Sequence, residues 1–366
     1  MTRIGRHDGD FTTLLAEAVD LGLRDNDPAG IGAVFLSAFA PAELCGISDP
    51  AGLTRHILQA RIPAFDAPVF GPFLTGAEAT IRAIEYPAGD RDVLVIGCEK
   101  MTHADAGVAA GLLAPRVADP VEQRHGATLP ALAALATAAY RDAYRVPAAA
   151  FDAVAVKNHA HGARNPLAHF QQTITRDDVQ RSPMIADPLR RYHCAPISDG
   201  AAACVLSRTS GAVRIAGWAR ALDTPRFHER ARLGEFRAAF HAAREAFAMA
   251  ARSPADVHVV EIHDAFASFE LMNLEAMGFF PHGEAWRALD RGALHVGGEL
   301  AVNPSGGMKA RGHPIGVCGL TSLVEVFEQL TGSAGGRQQP GAGVAAIQSA
   351  GGVSRECYAF VVEAVA

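Results

Sequence analysis

Two histidines in this sequence lie where an imidazole could move a proton near neutral pH. The first, His313, lies in the segment 303–319, NPSGGMKARGHPIGVCG, whose five glycines and two prolines predict a loop with unusual backbone conformations. A histidine fixed between glycine and proline, just before a predicted helix at 319–330, is typical of a positioned base or hydrogen-bond donor. The alternative is an ordinary histidine of a surface loop.

The second histidine, His263, is followed by Asp264 at the end of an apolar run that predicts a buried strand. Polar side chains in such a position cost free energy unless they are hydrogen-bonded or used. The residues alone leave two explanations open. Either a backbone carbonyl accepts a hydrogen bond from the His263 ring, or His263 belongs to a functional site.

The order of predicted elements repeats within the chain. Residues 11–39 and 236–266 each read as an amphipathic helix, a turn that contains proline and a short apolar strand. Matching helix starts, central strands and closing strands then follow in the same order, at 75–76 and 318–319, 93–96 and 344–347, and 201–207 and 356–362. In the second copy the closing strand follows the central strand closely, whereas in the first copy a long stretch separates them. This difference predicts an insertion in the first copy.

We therefore expect three units along the chain. An N-terminal half covers 1–104 and 195–210, an inserted segment covers 105–194, and a C-terminal half covers 211–366. The inserted segment contains a predicted amphipathic helix at 129–144. Strands such as VLVIG and AFVVEA lack a period of two, which is typical of strands covered on both faces. The sequence thus predicts an α/β fold of two similar halves, with an active site at their seam.

Composition excludes several classes of protein. With 366 residues, 49% of them hydrophobic, the chain can bury a core, and a net charge of −6 disfavours a dedicated nucleic-acid binder. Six dispersed cysteines without a CxxC pair disfavour a structural zinc site, so we expect no metal. No apolar run approaches the ~18 residues of a membrane span, and no stretch resembles a signal peptide. We therefore expect a cytoplasmic protein without a membrane partner.

The two histidine segments together, NPSGGMKARGHPIG and HDAF, resemble the thiolase superfamily, and within it the sterol-carrier-protein-type thiolases and their archaeal acetoacetyl-CoA relatives. Further segments carry the resemblance in the family's order: GCEKMTH at 97–103, NHAHGARNP at 158–166, SPMIADPLRRYHCAPISDGAAA at 182–203 and QSAGG at 348–352. The resemblance implies a five-layered αβαβα sandwich of two duplicated halves. It also identifies 105–194 as a loop domain over the coenzyme A site.

The resemblance implies the chemistry of acyl-CoA, or acyl-carrier, thioesters, with no cofactor beyond the thioester substrate, in a homodimer or larger oligomer. In this family a cysteine at a helix N-terminus takes the acyl group, and the histidine of the GHP motif activates that thiol. By motif, His313 is the GHP histidine, and His263 is the histidine that helps to form an oxyanion hole. By the same resemblance, Asn303, which opens the glycine-rich loop, is the third candidate catalytic residue, and Gly351 lies in the C-terminal oxyanion loop.

Two cysteines of the family's pattern are absent. Phe73 stands where the nucleophile would open the segment C-x-[ST]-G-x-x-A, and Ser349 stands where the C-terminal loop carries Cys or Asn. Phenylalanine can neither attack a thioester nor transfer a proton, and we expect it to fill space that the acyl group needs. Cys318, at a predicted helix start, is a candidate surrogate thiol, with a packing role as the favoured alternative.

Two functions remain open. The first is an enzyme that makes or breaks C–C bonds by an aldol or Claisen route with His313 and His263 but without an acyl-enzyme. The second is a non-catalytic pseudo-thiolase subunit that scaffolds a thiolase-like partner in a heteromeric acyltransferase complex. The archaeal resemblance also implies a zinc-ribbon/OB-fold partner protein. Lys309 and Arg311 could meet coenzyme A phosphates or an acidic partner, or form a solvated charged loop.

Overall fold

The computed structural model describes residues 1–24 and 26–365 of the chain. The elements before the inserted segment are α1 (Phe11–Leu23), β1 (Ile31–Ser37), α2 (Pro41–Cys45), α3 (Pro50–Arg61), β2 (Val69–Phe73), α4 (Gly76–Glu85) and β3 (Asp92–Glu99). The inserted segment contains α5 (Ala106–Val117), α6 (Pro120–Arg124), α7 (Leu129–Tyr144), α8 (Ala149–Gly162), α9 (Arg176–Arg181), β4 (Met184–Ala186) and β5 (Leu189–Arg190).

The rest of the chain closes the first half and builds the second. Its elements are β6 (Gly200–Leu206), β7 (Val213–Leu222), α10 (Arg237–Ala250), β8 (Val259–Ile262), α11 (Ala267–Ala276), α12 (Ala285–Asp290), β9 (Ala301–Val302), α13 (Gly307–Ala310), α14 (Leu320–Leu330), β10 (Val344–Gly351) and β11 (Glu356–Ala364). Short 3₁₀ turns join several of them.

Two sheets share one pattern of pairing. The first sheet has the order β2-β1-β3-β6, and the second has the order β7-β11-β10-β8-β9. In the first, β1 runs parallel to β3 and β6 closes antiparallel to β3. In the second, β8 runs parallel to β10 and β11 closes antiparallel to β10. The prediction of an α/β fold from two similar halves is therefore confirmed.

The two sheets and their helices form five layers. The helix α1 packs on the outer face of the first sheet, and α10 packs on the outer face of the second. Between the sheets lie α4 and α14, whose apolar side chains share one buried cluster with residues of both sheets. Both faces of the central strands are thus covered, which explains why their sequences do not alternate.

The inserted segment folds mainly into helices. The predicted amphipathic helix at 129–144 is α7, which begins after the N-cap Thr128 and buries six residues. The helix α8 lies against α11, α12 and α13 of the second half. None of the helices in the described ranges is long and apolar enough to cross a membrane. The exact bounds of the three units stay a prediction.

The central helices α4 and α14 meet at their N-terminal ends. The backbone N–H of Ala77 donates to the carbonyl of Cys318 at 3.0 Å. Gly319 has φ +85°, and a side chain there would bring its Cβ within 2.5 Å of the Ala77 Cβ. Only glycine fits this conformation and this approach without strain. The junction brings the start of α4 beside the loop that carries His313.

The carboxylate of Asp199 is fully buried just before β6. It links its own segment to the N-terminal segment and to the residues that follow β3. It accepts hydrogen bonds from Lys100 Nζ at 2.8 Å, from the backbone N–H groups of Met101 and Thr102 at 2.7 and 2.8 Å, and from the backbone N–H of His7 at 3.1 Å. Burial raises the pKa of Asp199, but the hydrogen bonds from Lys100 and Thr102 outweigh this and leave the pKa below its usual value. The ionised form is therefore the one that the fold binds.

Replacing Asp199 with alanine should strongly destabilise the protein. Lys100 would become a buried charge without its partner, and breaking such a pair costs about 3–5 kcal/mol. Chemical denaturation measures the effect, with the exposed, unbonded Asp90→Ala as the matched control, expected to change stability by less than about 0.5 kcal/mol. Equal denaturation midpoints for the two variants would contradict this account of Asp199.

Candidate functional site

The structure brings His263 and His313 together. His263 follows the end of β8, and His313 lies in the loop between α13 and α14. Their ring centroids are 5.3 Å apart and their planes are at 86°, an edge-to-face pair. A substrate atom beside one imidazole is therefore within reach of the other.

The loop of His313 is held by the first half of the molecule. The backbone N–H of His313 donates to Ser198 Oγ at 3.0 Å, and the backbone bridges to Ile197. Gly312 has φ +110°, and a Cβ there would lie 2.6 Å from Ser198 Oγ and from an Ile4 methyl carbon. Glycine before His313 is thus required by both conformation and space.

His263 is fixed through its backbone. Its N–H donates to Gln348 Oε1 at 3.0 Å, and its carbonyl accepts from Asn273 Nδ2 at 3.3 Å. The side chain is buried, and Nδ1 has no hydrogen-bond partner within the described ranges. A buried ring nitrogen without a partner costs free energy. It is therefore available to a group that the chain itself does not supply.

Both imidazoles are neutral at pH 7. Burial, with a smaller effect of Arg311, lowers the pKa of His313 to about 4. Burial, followed by the neighbouring His313, lowers the pKa of His263 well below its usual value. Among residues 1–24 and 26–365, no hydrogen bond reaches a ring nitrogen of His313. A neutral imidazole carries one acceptor and one donor nitrogen, so the pair can both take a proton and donate a hydrogen bond.

At the nucleophile position, Phe73 ends β2, three residues before α4 begins. Its ring stacks on Phe35 with centroids 5.8 Å apart, and its carbonyl accepts from Ala38 N at 2.9 Å. Thr75 caps α4 by accepting a hydrogen bond from Glu78 N. The ring of Phe73 thus joins an aromatic group of the first sheet. Its expected role in filling the acyl space stays a prediction.

The segment QSAGG lies on β10 beside His263. Gln348 makes the contact with the His263 backbone, and the neighbouring Ser349 pairs with Tyr358 in the sheet. The hydroxyl of Ser349 is buried and has no partner in the described part of the chain. Gly351 ends the strand and is partly exposed. An oxyanion role for Ser349 and Gly351 stays a prediction.

Asn303 makes contacts through both ends of its side-chain amide. Its Oδ1 accepts from Ile262 N at 2.8 Å, and its Nδ2 donates to Glu270 Oε2 at 2.8 Å. The residue is fully buried, with φ +52°. These bonds hold the end of β8, one residue before His263. The geometry fits a positioning residue, and the predicted catalytic role of Asn303 remains untested.

The interpretation of Lys309 and Arg311 as a solvated charged loop is wrong. Both side chains are 1% exposed. Arg311 forms an ion pair with Glu261 at 2.8 Å and a hydrogen bond to Ser305 Oγ at 3.1 Å. Burial lowers the pKa of Lys309 to about 8, and its Nζ has no partner among the described residues. Neither cation is at the surface, so the geometry does not support contacts with coenzyme A phosphates.

Cys318 is a poor candidate for a surrogate nucleophile. It is 2% exposed, and its thiol donates to the carbonyl of Pro314 at 3.3 Å. Burial raises the pKa of Cys318 to about 12, so the expected activation at a helix start is overridden by desolvation. The environment fits the packing role. Burial also raises the pKa values of the other five cysteines, Cys45, Cys98, Cys194, Cys204 and Cys357.

Sequence reasoning assigned no role to Glu99, which holds the other end of the His313 loop. Its Oε2 accepts from Gly316 N at 2.8 Å and from Phe39 N at 3.0 Å. Burial raises the pKa of Glu99 to about 7. Ser198 and Gln348 were missed in the same way. The available signal was a polar residue directly after an apolar run, which Gln348 shows after 344–347 and Glu99 shows only across the two residues 97–98.

Nothing within the described ranges groups three or more His, Cys, Asp or Glu side chains in a way that could hold a metal ion. Two of the pockets on the surface lie elsewhere. One, of about 530 Å³, lies against α1, and the other, of about 330 Å³, lies at the β7 edge beside Trp218 and Arg220. Neither is lined by His263 or His313. The imidazole pair is therefore the arrangement with the clearest capacity for acid–base chemistry.

Family models cover most of the chain. The model for the thiolase N-terminal domain matches residues 76–210, and the model described as thiolase C-terminal domain-like matches residues 219–364. An acetyl-CoA acetyltransferase of Methanothermobacter thermautotrophicus is 36% identical over 315 residues, which are 84% of this chain and 80% of that protein. Human sterol carrier protein 2 is 33% identical over 292 residues, 74% of this chain. The match spans only 53% of that longer protein.

Solved structures share the fold. A structure named "Ltp2-ChsH2(DUF35) aldolase" superimposes with a TM-score of 0.79 at 20% identity, covering 99% of this chain and 95% of that chain. A monomeric SCP2-thiolase like protein type 1 from Mycobacterium smegmatis superimposes with a TM-score of 0.71 at 18% identity, covering 99% and 76%. From the family models, the relatives and the duplicated five-layered fold, the chain belongs to the thiolase superfamily, as a member of the sterol-carrier-protein type.

Proposed function

We propose that this protein makes or breaks a carbon–carbon bond next to the carbonyl of an acyl-CoA, or acyl-carrier, thioester without an acyl-enzyme intermediate. The observation that carries the proposal is the pair of neutral imidazoles, His263 and His313, in a chain with phenylalanine at the nucleophile position. Without a thiolate, acyl transfer through the enzyme has no acceptor. Enolate chemistry needs only a base and a hydrogen-bond donor for the oxyanion.

In the cleavage direction, the substrate is a 3-hydroxyacyl thioester. His313 takes the proton of the 3-hydroxyl group as the bond between C2 and C3 breaks, and the electron pair moves into the thioester to form an enolate. A ring N–H of His263 donates a hydrogen bond to the enolate oxygen. The proton then passes to C2, which gives a shorter acyl thioester and a carbonyl compound. Condensation is the same sequence reversed.

The magnitudes are adequate for useful catalysis. A positioned base contributes about 10²–10⁴-fold, and one oxyanion donor contributes about 10²–10³-fold. Two similarities point the same way. One relative is named acetyl-CoA acetyltransferase, which supports a coenzyme A thioester as substrate, and a structural neighbour is named an aldolase, which supports a route without a nucleophile. We further propose that the protein is cytoplasmic and works as a homodimer or larger oligomer.

A second candidate is a non-catalytic subunit of a heteromeric acyltransferase complex. The absence of an activated thiol favours it, and the similar aldolase structure is named for two components, Ltp2 and ChsH2(DUF35). A partner of the zinc-ribbon/OB-fold type is compatible with either candidate. Against the scaffold stands the imidazole pair. The buried Nδ1 of His263, which has no partner among the described residues, costs free energy that a scaffold would recover by replacing this histidine with an apolar residue.

Removing either imidazole should abolish most of the turnover. His313→Ala should lower kcat for cleavage of short-chain 3-hydroxyacyl-CoA by about 10²–10⁴-fold, and His263→Ala by about 10²–10³-fold. The exposed His56→Ala on α3 is the matched control and should keep full activity. If instead both site variants retain the activity of the purified complex, the scaffold is the correct function.

The value of kcat/KM should persist to lower pH than in an enzyme whose catalytic histidine has an ordinary pKa. Because the pKa of His313 is lowered to about 4, the base stays unprotonated down to about pH 5, and kcat/KM should fall only below that. The unfolded chain takes up protons near pH 6.5, so acid also destabilises the fold as pH decreases from 6.5 to about 4. Fluorescence at each pH separates the two effects. A half-loss of kcat/KM near pH 6.5 in folded protein would contradict the assignment.

No acyl adduct should form on this protein at neutral pH. With the pKa of Cys318 at about 12, the thiolate fraction is negligible, and intact mass after incubation with acetyl-CoA and longer acyl-CoA should be unchanged. Denatured protein treated with iodoacetamide shows that the thiols are intact. A stable adduct that Cys318→Ala removes would overturn the proposal and restore an acyl-enzyme cycle.

A further inference from the structure

A separate apolar cluster lies beside the imidazole pair, beneath α5 of the inserted segment. Its members are Phe39, Ala40, Leu44, Met101 and Ala109, with Cys45, Leu74, Ala104, Leu112, Leu113, Ile197 and Ile315 packed against them. Three of these adjoin the site along the chain or through its backbone. Leu74 follows Phe73, Ile197 bridges to the His313 backbone, and Ile315 lies two residues after His313. The cluster is therefore continuous with the loop of His313.

The wall of the cluster opposite α5 is fixed. Phe39 N–H donates to the buried carboxylate of Glu99, which also holds Gly316 of the His313 loop. Leu44 lies on α2, which ends at Gly46 in the left-handed conformation that caps a helix. This wall therefore moves only if the loop of His313 moves with it.

The helix α5, by contrast, is weakly held. Between 107 and 117, only Ala109 and Val117 are buried, and Val108 is 51% exposed. Asp105 makes no capping hydrogen bond, and Pro115 cannot donate within the last turn. The helix also contains Gly107 and Gly111, each of which lowers helix stability relative to alanine.

The main polar attachment of α5 is at its C-terminal end. Arg116 donates to the carbonyl of Phe39 at 3.2 Å, and its guanidinium lies 4.5 Å from the centre of the Phe39 ring. The neighbouring α7 is different. It has an N-cap, and Thr137 and Tyr140 make buried hydrogen bonds to Ser268 and Glu275 of α11. Segments with few buried contacts open locally at low free energy, so α5 opens more easily than α7.

We infer that α5 is a lid over the binding site for an apolar acyl chain. The inference rests on the proposed function and names its substrate class. The apolar cluster that adjoins the His313 loop is covered by α5, whose Leu112 and Leu113 pack against it. When α5 loses its helical turns at Gly107 and Gly111, it uncovers Phe39, Leu74 and Ile315. The acyl chain takes the place of Leu112 and Leu113 against this wall.

The chemical class of the chain follows from the exposed wall. The side chains that α5 covers are aromatic and aliphatic groups, the thioether of Met101 and the thiol of Cys45. A hydrocarbon chain gains from burial there. A chain that ends in a carboxylate would have to be desolvated, and Arg116, the cation beside this wall, is already bonded to the Phe39 carbonyl and lies on the Phe39 ring. Binding should therefore improve with each added methylene, and a terminal carboxylate should remove the gain.

The lid is tested by Gly107→Ala combined with Gly111→Ala. An added Cβ meets nothing within 4 Å at either position, so the double variant should keep the closed structure. Alanine stabilises the helix, and each substitution should slow hydrogen exchange of the α5 amides by about fivefold. Gly336→Ala, equally open and remote from the site, is the matched control. Because only the open form admits substrate, kcat/KM for an octanoyl-length 3-hydroxyacyl-CoA should fall by the same factor as the open population.

The same exchange measurement is repeated with S-octyl-CoA, a stable thioether, and with coenzyme A alone. S-octyl-CoA should change the exchange of α5 and leave α7 unchanged, whereas coenzyme A should not affect α5. If S-octyl-CoA binds by calorimetry but α5 does not respond, or if the double variant keeps normal kcat/KM despite slower exchange, the lid is wrong and the proposed function stands. If S-octyl-CoA does not bind, the proposed function on acyl-CoA fails and the assignment of its acyl chain fails with it.

Discussion

The loop of His313 depends on two acceptors that come from the other half of the molecule. Ser198 Oγ accepts the N–H of His313, and Glu99 accepts the N–H of Gly316 three residues later. His263, by contrast, is held within its own half by Gln348. The imidazole pair therefore exists only when the two halves are docked. The inserted segment leaves the first half after β3 and must return the chain at Ser198, so its two ends are fixed by the site.

Burial sets the protonation state of the pair, and a separate network keeps charge away from it. Lys157 and Asn158 of α8 contact Glu270, which also accepts from Asn303, while Asn158 donates to Asp264. These buried charged groups and amides bind one another on the side of His263 that faces the inserted segment. The imidazoles are left with Arg311 as the main charge that acts on both. A positive charge together with burial favours the neutral ring, and the neutral ring is the form that can serve as a base.

Much of the fold could be predicted because its signals are local or repeated. The helix at 129–144, the helix that follows Gly319 and the two sets of matching strands needed only periodicity and order along the chain. The pairing of His263 with His313 followed from the family resemblance. The failures concern partners that are distant in sequence. The burial of Arg311 depends on Glu261, fifty residues away, and no property of the run 309–311 indicates that carboxylate. The contacts of Glu99 and Asn303 were hidden for the same reason.

The same burial that neutralises the imidazoles also disables the thiols, and this links the missing nucleophile to the proposed chemistry. Desolvation raises the pKa of a cysteine and lowers that of a histidine, because in each case the charged form is disfavoured. In such a site a thiolate requires a dedicated cation or helix terminus, whereas a neutral base requires nothing further. An enolate is also an anion, but it forms only transiently, and its charge is met by a donor already in place. A dry site with two neutral imidazoles is therefore better suited to a short-lived enolate than to a resting thiolate.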